Sequence, residues 1–346
     1  MFGDISHVGM QREGNTMTQL SQSLIPVDLL TVDVITDDVS DTYVTKTLFA
    51  VSEFANIVRA GAKVISGETL LCANLGLGLR LIAKAGDKQY TMLFDTGPEG
   101  AIFTRNIQRL GIWLGDVETI AVTHGHWDHM GALPAAVQTI VEEGGKVTVH
   151  VNPGMFNDRA VKLADGSIVP VAVVCNPAEL ESYGAKVVNN SEAQLLIEGH
   201  AYYSGEIPRV SSFEKGRMDH LCRKSPEAPW EPDPLLMDER MLVVNVRELG
   251  LIVFSACSHA GIVNVCTDVT RLFPEMPIYC VMGGLHLGGV MEKIIPDTVA
   301  GLKTFNIQQL IVGHCTGWRA LHALANEFGS AVSQSAVGTT YTFTRQ

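Results

Sequence analysis

The feature that most constrains this chain is a cluster of metal-binding residue types at residues 124–129, with the sequence HGHWDH. The cluster follows a short apolar run, TIAVT, and precedes a stretch with helical spacing, so it stands where a buried strand gives way to a loop. Imidazole and carboxylate groups are ligands that zinc, iron and manganese accept. Three histidines and one aspartate within six positions therefore predict a metal site at the end of a strand.

The spacing inside this cluster suggests two ions. His124 and His126 are two apart in an extended loop, so their side chains point to the same side and can hold one ion. Asp128 and His129 follow at a turn and can reach a second ion. Two ions together activate a water and hold the attacking and leaving oxygens of a hydrolysis. Asp128 is the predicted catalytic residue, which would orient the attacking water or accept its proton.

Three further histidines each follow an apolar strand-like run: His259 in IVFSACSHAG, His286 in CVMGGLHLGG and His314 in LIVGHCTGW. Loops at the carboxyl ends of strands are where α/β folds assemble their sites. We expect His259 and His314 to be metal ligands. His286 is expected either to bind metal or to contact the substrate.

Other side chains are expected around the metals. Asp95, in LFDTG at a strand end, is expected to accept a hydrogen bond from a ligand histidine and so fix its tautomer. Glu206 could reach the metals and Arg209 an anionic substrate, or the two could form a surface ion pair at a turn. Thr316 lies where the last helix opens, and free backbone N–H groups there could bind a phosphate or carboxylate.

Two cysteines, Cys257 and Cys315, lie within two residues of these histidines. A Cys/His pair suggests nucleophilic catalysis, but such a thiol is equally a packing residue or an accessory ligand. The chain has seven scattered cysteines and no CxxC motif, which favours reduced thiols and a cytoplasmic location.

The rest of the chain alternates strand-like and helix-like segments, which predicts a layered α/β arrangement with helices on both outer faces. Residues 104–114 have helical spacing. We expect a flexible lead-in at residues 1–25 and a single domain over residues 26–346. Residues 205–240 contain five of the fourteen prolines and are expected to be an irregular, lid-like excursion over the surface.

Charge narrows the class of partner. The net charge is −12, from 37 acidic and 25 basic residues, and no Lys/Arg run stands out, so a general nucleic-acid binder is disfavoured. A bound metal reverses the local field, so an anionic small-molecule substrate is still compatible. Neither a secretory signal nor a membrane span is predicted. The sequence leaves open whether the chain forms a homo-oligomer.

The H-x-H-x-D-H run at residues 124–129, the upstream FDTG and the strand-end His314 resemble the metallo-β-lactamase superfamily, over about residues 29–343. The resemblance implies a four-layered αββα sandwich with a dinuclear metal site on one rim. It also implies a metal-dependent hydrolase with two divalent ions, zinc first, with Mn²⁺ or Fe²⁺ as the other candidates.

The segments ACSHAGIVN, GGLHL, GHCTG and SGEIPR are similar to a subgroup associated with 7,8-dihydropterin-6-ylmethyl-4-(β-D-ribofuranosyl)aminobenzene 5′-phosphate synthase. The chain departs from the superfamily's commonest pattern in two places. The usual third histidine of the first metal site has no counterpart, and SGEIP stands near its place. The usual bridging aspartate is also missing, and residues 256–259 occupy its region, so His259 is expected to replace a standard ligand.

Several functions follow from these residues. The leading hypothesis is a hydrolase in which metal-activated water attacks an ester or phosphoester-like group. The first alternative is a synthase-like transferase that joins a pterin to a phosphorylated ribosyl precursor. A non-catalytic, metal-dependent ligand-binding protein is the second alternative, and a redox role with two irons is the third.

Overall fold

Two β-sheets packed face to face form the centre of the computed structural model, which describes residues 23–42 and 49–345. Within those ranges, the strands of the first sheet are, in spatial order, β2 (Ala50–Val51), β19 (Thr340–Thr344), β1 (Leu29–Thr36), β3 (Gly78–Ala85), β4 (Lys88–Phe94), β5 (Val117–Ala121), β6 (Thr148–Val151) and β9 (Lys186–Asn189). The strands of the second sheet are β10 (Gln194–Leu196), β11 (Ala201–Tyr203), β14 (Leu242–Val246), β15 (Gly250–Ser255), β16 (Ile278–Gly284), β17 (Gln309–Gly313) and β18 (Val332–Gln334). A smaller third sheet has the order β13 (Glu231–Pro232), β12 (His220–Arg223), β7 (Asp158–Lys162) and β8 (Ile168–Pro170).

Helices cover the outer faces of the two large sheets. In chain order the described helices are α1 (Glu53–Arg59), α2 (Gly100–Leu110), α3 (Trp127–Met130), α4 (Leu133–Glu142), α5 (Pro177–Ser182), α6 (Ile262–Leu272), α7 (Ile295–Lys303) and α8 (Trp318–Phe328). Buried residues of α2, α4 and α5 pack on the first sheet, and those of α6, α7 and α8 pack on the second. None of the helices in the described ranges combines the length and apolarity needed to cross a membrane.

The main apolar core lies between the two sheets. It contains alternate residues of β1, β3 and β4 on one side and of β14, β15 and β16 on the other. The rings of Phe94 and Phe254, one from each sheet, lie 5.8 Å apart at its centre. Each sheet buries one face against the other sheet and the opposite face under helices. The fold is therefore the four-layered αββα sandwich that the resemblance implied, and that prediction is confirmed.

Strand register brings the chemistry-bearing loops to one edge. β4 and β5 are parallel with Phe94 paired to Ala121, so the chain leaves both strands on the same side, toward Asp95 and His124. In the second sheet β15, β16 and β17 are parallel, with Gly284 paired to Gly313. The loops after these three strands therefore emerge together, and they carry the three strand-end histidines.

Two local predictions differ from the structure. The helix predicted over residues 104–114 is Gly100–Leu110, because Gly111 adopts a left-handed φ of +63° and ends it before Ile112. The segment 205–240 is not wholly irregular, because β12 and β13 join residues 158–170 in the third sheet. The predicted lead-in at residues 1–25 lies, for residues 1–22, outside the described residues. Leu24 is already buried, and the Ile25 N–H donates to Gly199.

Candidate metal centre

The loop between β5 and α3 carries the HGHWDH cluster, and Gly125 allows its path. A Cβ atom at Gly125 would lie 2.0 Å from the carbonyl oxygen of Met155, so only glycine fits there without a backbone shift. The Gly125 N–H donates to Oδ2 of Asp238 at 2.9 Å, and Arg159 pairs with the other oxygen of that carboxylate at 2.8 Å. These contacts hold the backbone of the loop in place.

The first ligand set consists of His124, His126 and His259. Nε2 of His124 lies 3.0 Å from Nδ1 of His126. The His259 ring packs against both, with centroids 4.8 Å from His124 and 4.9 Å from His126. Nε2 of His259 is buried and has no hydrogen-bond partner in the protein. Loops that follow β5 of the first sheet and β15 of the second thus bring three imidazoles together.

The second ligand set consists of Asp128, His129 and His314. Oδ2 of Asp128 lies 3.7 Å from Nε2 of His129 and 3.4 Å from Nε2 of His314. The rings of the two histidines are 4.9 Å apart. Cys257 Sγ belongs to the same group of ligand atoms, all within 4.8 Å of one another. The predicted ligands from residues 124–129, 259 and 314 are therefore neighbours in space.

Asp95 lies under both sets and fixes two rings. Its Oδ2 is 2.7 Å from Nδ1 of His129, and it also accepts the hydroxyl of Thr123 at 2.7 Å. The Thr123 oxygen in turn lies 3.0 Å from Nδ1 of His124. A carboxylate only accepts, so Nδ1 of His129 carries a hydrogen and donates it to Asp95. The Thr123 hydroxyl also donates to Asp95, so its oxygen accepts from Nδ1 of His124. In both rings the lone pair is then on Nε2, which faces the other ligands.

Two more carboxylates hold the other ligand loops, and neither was expected from the sequence. Glu239, fully buried, accepts from the backbone N–H of His259 at 2.8 Å and of Ala260 at 2.6 Å. Asp37 accepts from the N–H of His314 at 2.8 Å. A strand-end aspartate is a weak signal that could have suggested Asp37, whereas Glu239 follows no recognisable pattern in the 205–240 segment.

The rim of the site contains residues that sequence reasoning missed. His220, at the start of β12, packs 5.5 Å from the rings of His126 and His259. Nη1 of Arg217 lies 3.2 Å from Nε2 of His286, and the His286 ring is 4.3 Å from that of His259. Both missed residues come from a segment whose prolines and mixed charges resemble those of an ordinary surface loop, so no local signal marks them.

Glu206, Arg209 and Thr316 were also predicted to contact the substrate. Glu206 is exposed. Arg209 donates to the carbonyls of Ile207, Leu235 and Leu236, and so links the beginning of the 205–240 segment to its end. The Thr316 hydroxyl accepts the Leu285 N–H at 3.1 Å, and residues 314–316 form a 3₁₀ turn before α8. Substrate binding by these residues stays a prediction.

Burial and neighbouring charges together set the pKa values of the site. It lowers the pKa of His124, His126 and His259, and lowers that of His220 to about 4, so these rings are neutral at physiological pH and their lone pairs are free to bind metal. Burial opposes ionisation of Asp128, but His129 and His314 outweigh it and hold the pKa of that carboxyl below its usual range. Burial also opposes protonation of His129 and His314, but Asp128 and Asp95 at His129, and Cys315 and Asp128 at His314, outweigh it and raise the pKa of both rings. The site therefore combines neutral imidazoles in the first set with an ionised carboxylate that pairs with two imidazoles in the second.

This arrangement fits divalent metal ions. The Nε2 lone pair of His124 faces Nδ1 of His126, and Nε2 of His259 is buried without a partner, which is costly unless a cation is present. Within the described residues, ligand atoms gather into Asp128/His129/Cys257/His314, His124/Cys257/His259 and Cys257/His286/Cys315. The donor set of imidazole, carboxylate and thiol suits zinc or iron.

Known proteins resemble this chain in sequence and in fold. The family model of the metallo-β-lactamase superfamily matches residues 81–211. The 7,8-dihydropterin-6-methyl-4-(β-D-ribofuranosyl)-aminobenzene-5′-phosphate synthase of Methanocaldococcus jannaschii is 26% identical over 261 residues, which cover 73% of this chain and 84% of the relative. The crystal structure of Tm1679, a metal-dependent hydrolase of the β-lactamase superfamily, superposes with a TM-score of 0.66 at 20% identity, covering 91% of this chain and 100% of the other.

The superposition shows a shared fold, and the family model covers β5, the HGHWDH loop and the chain as far as the start of the excursion. The αββα sandwich was implied by the sequence resemblance, and the superposition agrees with it. The chain has the metallo-β-lactamase fold, and its residues 81–211 match the family model of the metallo-β-lactamase superfamily.

Proposed function

We propose that this chain is a metal-dependent hydrolase that cleaves an ester or phosphoester-like bond in a small anionic molecule. The observation that carries the proposal is the convergence of two ligand sets, His124/His126/His259 and Asp128/His129/His314, at one edge of the sandwich. Two divalent ions are proposed, with zinc first and manganese or iron as the other candidates. Bound ions would supply Lewis acidity, which lowers the pKa of water toward neutrality.

The chain's own residues would then orient the reaction. Asp128 is half-buried, ionised and 3.4 Å from the nearest nitrogen of His314, so it can accept a hydrogen bond or a proton at Oδ2. Asp95 and Glu239 do not touch the substrate in this account. They hold His129 and the His259 loop in place, which keeps the ligand atoms converged.

The proposed substrate-binding groups lie on the rim of the site. Arg217, His220 and His286 lie beside the first ligand set and offer a guanidinium and two imidazoles, groups that bind phosphate and carboxylate oxygens. They come from the 205–240 segment and from the loop after β16. Glu206, Arg209 and Thr316 are retained as further substrate contacts on the sequence argument alone. The described cysteines are all free thiols, which supports a reducing compartment such as the cytoplasm.

Substrate screening tests this function. Metal-loaded wild-type protein would be assayed with a generic phosphodiester, a phosphomonoester and a lactone, next to Asp128→Asn and the matched surface variant Asp165→Asn. We expect turnover of at least one substrate, a loss of 100-fold or more in Asp128→Asn, and unchanged turnover in Asp165→Asn. Full metal loading without turnover of any of the three would contradict the hydrolase proposal.

A second candidate is a synthase that joins a dihydropterin to a ribofuranosylaminobenzene phosphate. It is supported by the 26% identity to the synthase of Methanocaldococcus jannaschii across 84% of that relative. The same rim groups, with the Arg217 guanidinium as the cation, would bind the 5′-phosphate. Incubation with an activated 6-methyl-dihydropterin and 4-(β-D-ribofuranosyl)aminobenzene 5′-phosphate, followed by mass spectrometry, separates the two: a condensed product supports the synthase, and unchanged starting materials oppose it.

A further inference from the structure

Cys257 occupies a fixed position between the two ligand sets. It follows β15, and Ser258 next to it has a left-handed φ of +59°. The Ser258 hydroxyl donates to the carbonyl of Gly284 at 2.7 Å and lies 2.8 Å from that of Ser255, so the turn is anchored to β16. The Cys257 side chain is 1% exposed and directed into the centre of the site.

The sulfur touches ligands of both sets. Sγ of Cys257 lies 3.1 Å from Nε2 of His314 and 3.3 Å from Nε2 of His129, which belong to the second set. It is also within 4.8 Å of the ligand atoms of His124 and His259, which belong to the first. Of the residues that the structure describes, this is the one that appears in every group of possible metal-binding atoms.

Charge supplies a reason for a shared sulfur. The first set offers three imidazoles and no acidic side chain, and the second set contains one carboxylate. Two dications held close together need an anion between them to offset their repulsion. In the resemblance described above that anion is an aspartate, and residues 256–259 take its place in this chain. A thiol that binds metal loses its proton to solvent and becomes such an anion.

We propose that the Cys257 thiolate is a common ligand to both metal ions and replaces the bridging carboxylate of the superfamily. This inference rests on the proposed function, since it requires that both ligand sets hold ions. A packing role does not account for the position of the Cys257 sulfur. Alanine or serine would fill the same turn, and apolar packing alone would not place the sulfur beside two imidazole nitrogens. Cys315, whose Sγ lies 3.3 Å from Sγ of Cys257, is the competing sulfur ligand.

Cobalt(II) is the probe that distinguishes these ligands. Cobalt bound to a thiolate gives a near-ultraviolet sulfur-to-metal charge-transfer band, and X-ray absorption at the cobalt edge counts sulfur neighbours. For full-length wild-type protein loaded with two cobalt ions, we expect the band and an average of one sulfur per cobalt. A terminal cysteine on one ion would give half a sulfur per cobalt, and nitrogen and oxygen neighbours alone would exclude cysteine; either result overturns the inference.

Variants identify the sulfur. Cys257→Ala should lose the band and bind the second cobalt at least tenfold more weakly, whereas Cys257→Asp should recover two ions without the band. Cys266→Ala, a buried thiol in α6, is the control and should behave as wild type. A band that survives in Cys257→Ala and disappears in Cys315→Ala overturns the assignment. Wild-type protein that binds no cobalt contradicts the proposed function itself, whereas two ions bound without sulfur contradict this inference alone.

Discussion

Oδ2 of Asp95 lies 2.7 Å from Nδ1 of His129, and both side chains are completely buried. This contact orients the ring so that Nε2 points toward Cys257 and Asp128, and through Thr123 the same carboxylate orients His124. One aspartate at the end of β4 therefore sets the tautomers of histidines in both ligand sets.

Asp95→Asn should lower metal affinity by about 10–100-fold while the protein stays folded, because the amide cannot accept from the Nδ1 hydrogen and the Thr123 hydroxyl in the same way. Competition with a chelator of known affinity measures this. Asp165→Asn, in an exposed turn, is the matched control. Equal affinities for wild type and Asp95→Asn would show that the contact does not support the metals.

Gly125→Ala should destabilise the fold by roughly 2–4 kcal/mol, because the added Cβ would meet the Met155 carbonyl oxygen at 2.0 Å. The loop that carries His124 and His126 would have to move. Urea unfolding of the metal-free protein measures the loss. Gly67→Ala is the control, since a Cβ there meets nothing within 4 Å. A Gly125→Ala variant as stable as Gly67→Ala would refute the packing argument.

Glu239→Gln should cost roughly 1–3 kcal/mol of unfolding free energy, because one of the two backbone N–H groups of residues 259 and 260 would face an amide nitrogen instead of an acceptor. The first ligand set should also bind metal more weakly, since His259 belongs to that loop. Denaturation and chelator competition on the same preparation measure both effects. Glu181→Gln, at an exposed position, should change neither.

Glu214 makes stability depend on pH. Burial raises its pKa from 4.5 to about 7, although the N–H groups of Val263 and Asn264 oppose the shift. Below its ordinary pKa the group is protonated in both the folded and unfolded states and has no effect. Between pH 4.5 and about 7 the unfolded state loses the proton while the folded state keeps it, so stability falls as pH rises, by roughly 3 kcal/mol at most.

Glu214→Gln should therefore lose less stability than wild type between pH 4.5 and about pH 7. Chelated protein is needed for this comparison, because metal binding itself releases protons. Urea unfolding across the range gives the two slopes. Parallel pH profiles for wild type and Glu214→Gln would show that Glu214 does not cause the pH dependence of stability.

The sequence predicted those parts of the site that depend on strand-end position. His124, His259, His286 and His314 each follow an apolar strand, and the parallel register of the strands brings them to one edge. The end of α2 was harder to predict from the sequence, because the left-handed conformation of Gly111 decides where that helix ends. His220 and Arg217 were missed because only the third sheet, a pairing between segments about 60 residues apart, carries them to the rim.

Metal content of the purified protein tests the central claim most directly. Full-length chain purified without chelator, and His126→Ala prepared in parallel, would be analysed for metal per folded chain, with circular dichroism to verify folding. The account predicts about two divalent ions per wild-type chain and a clear loss of metal in folded His126→Ala. Less than one ion per chain in the wild type, or equal metal content in the two proteins, would contradict it.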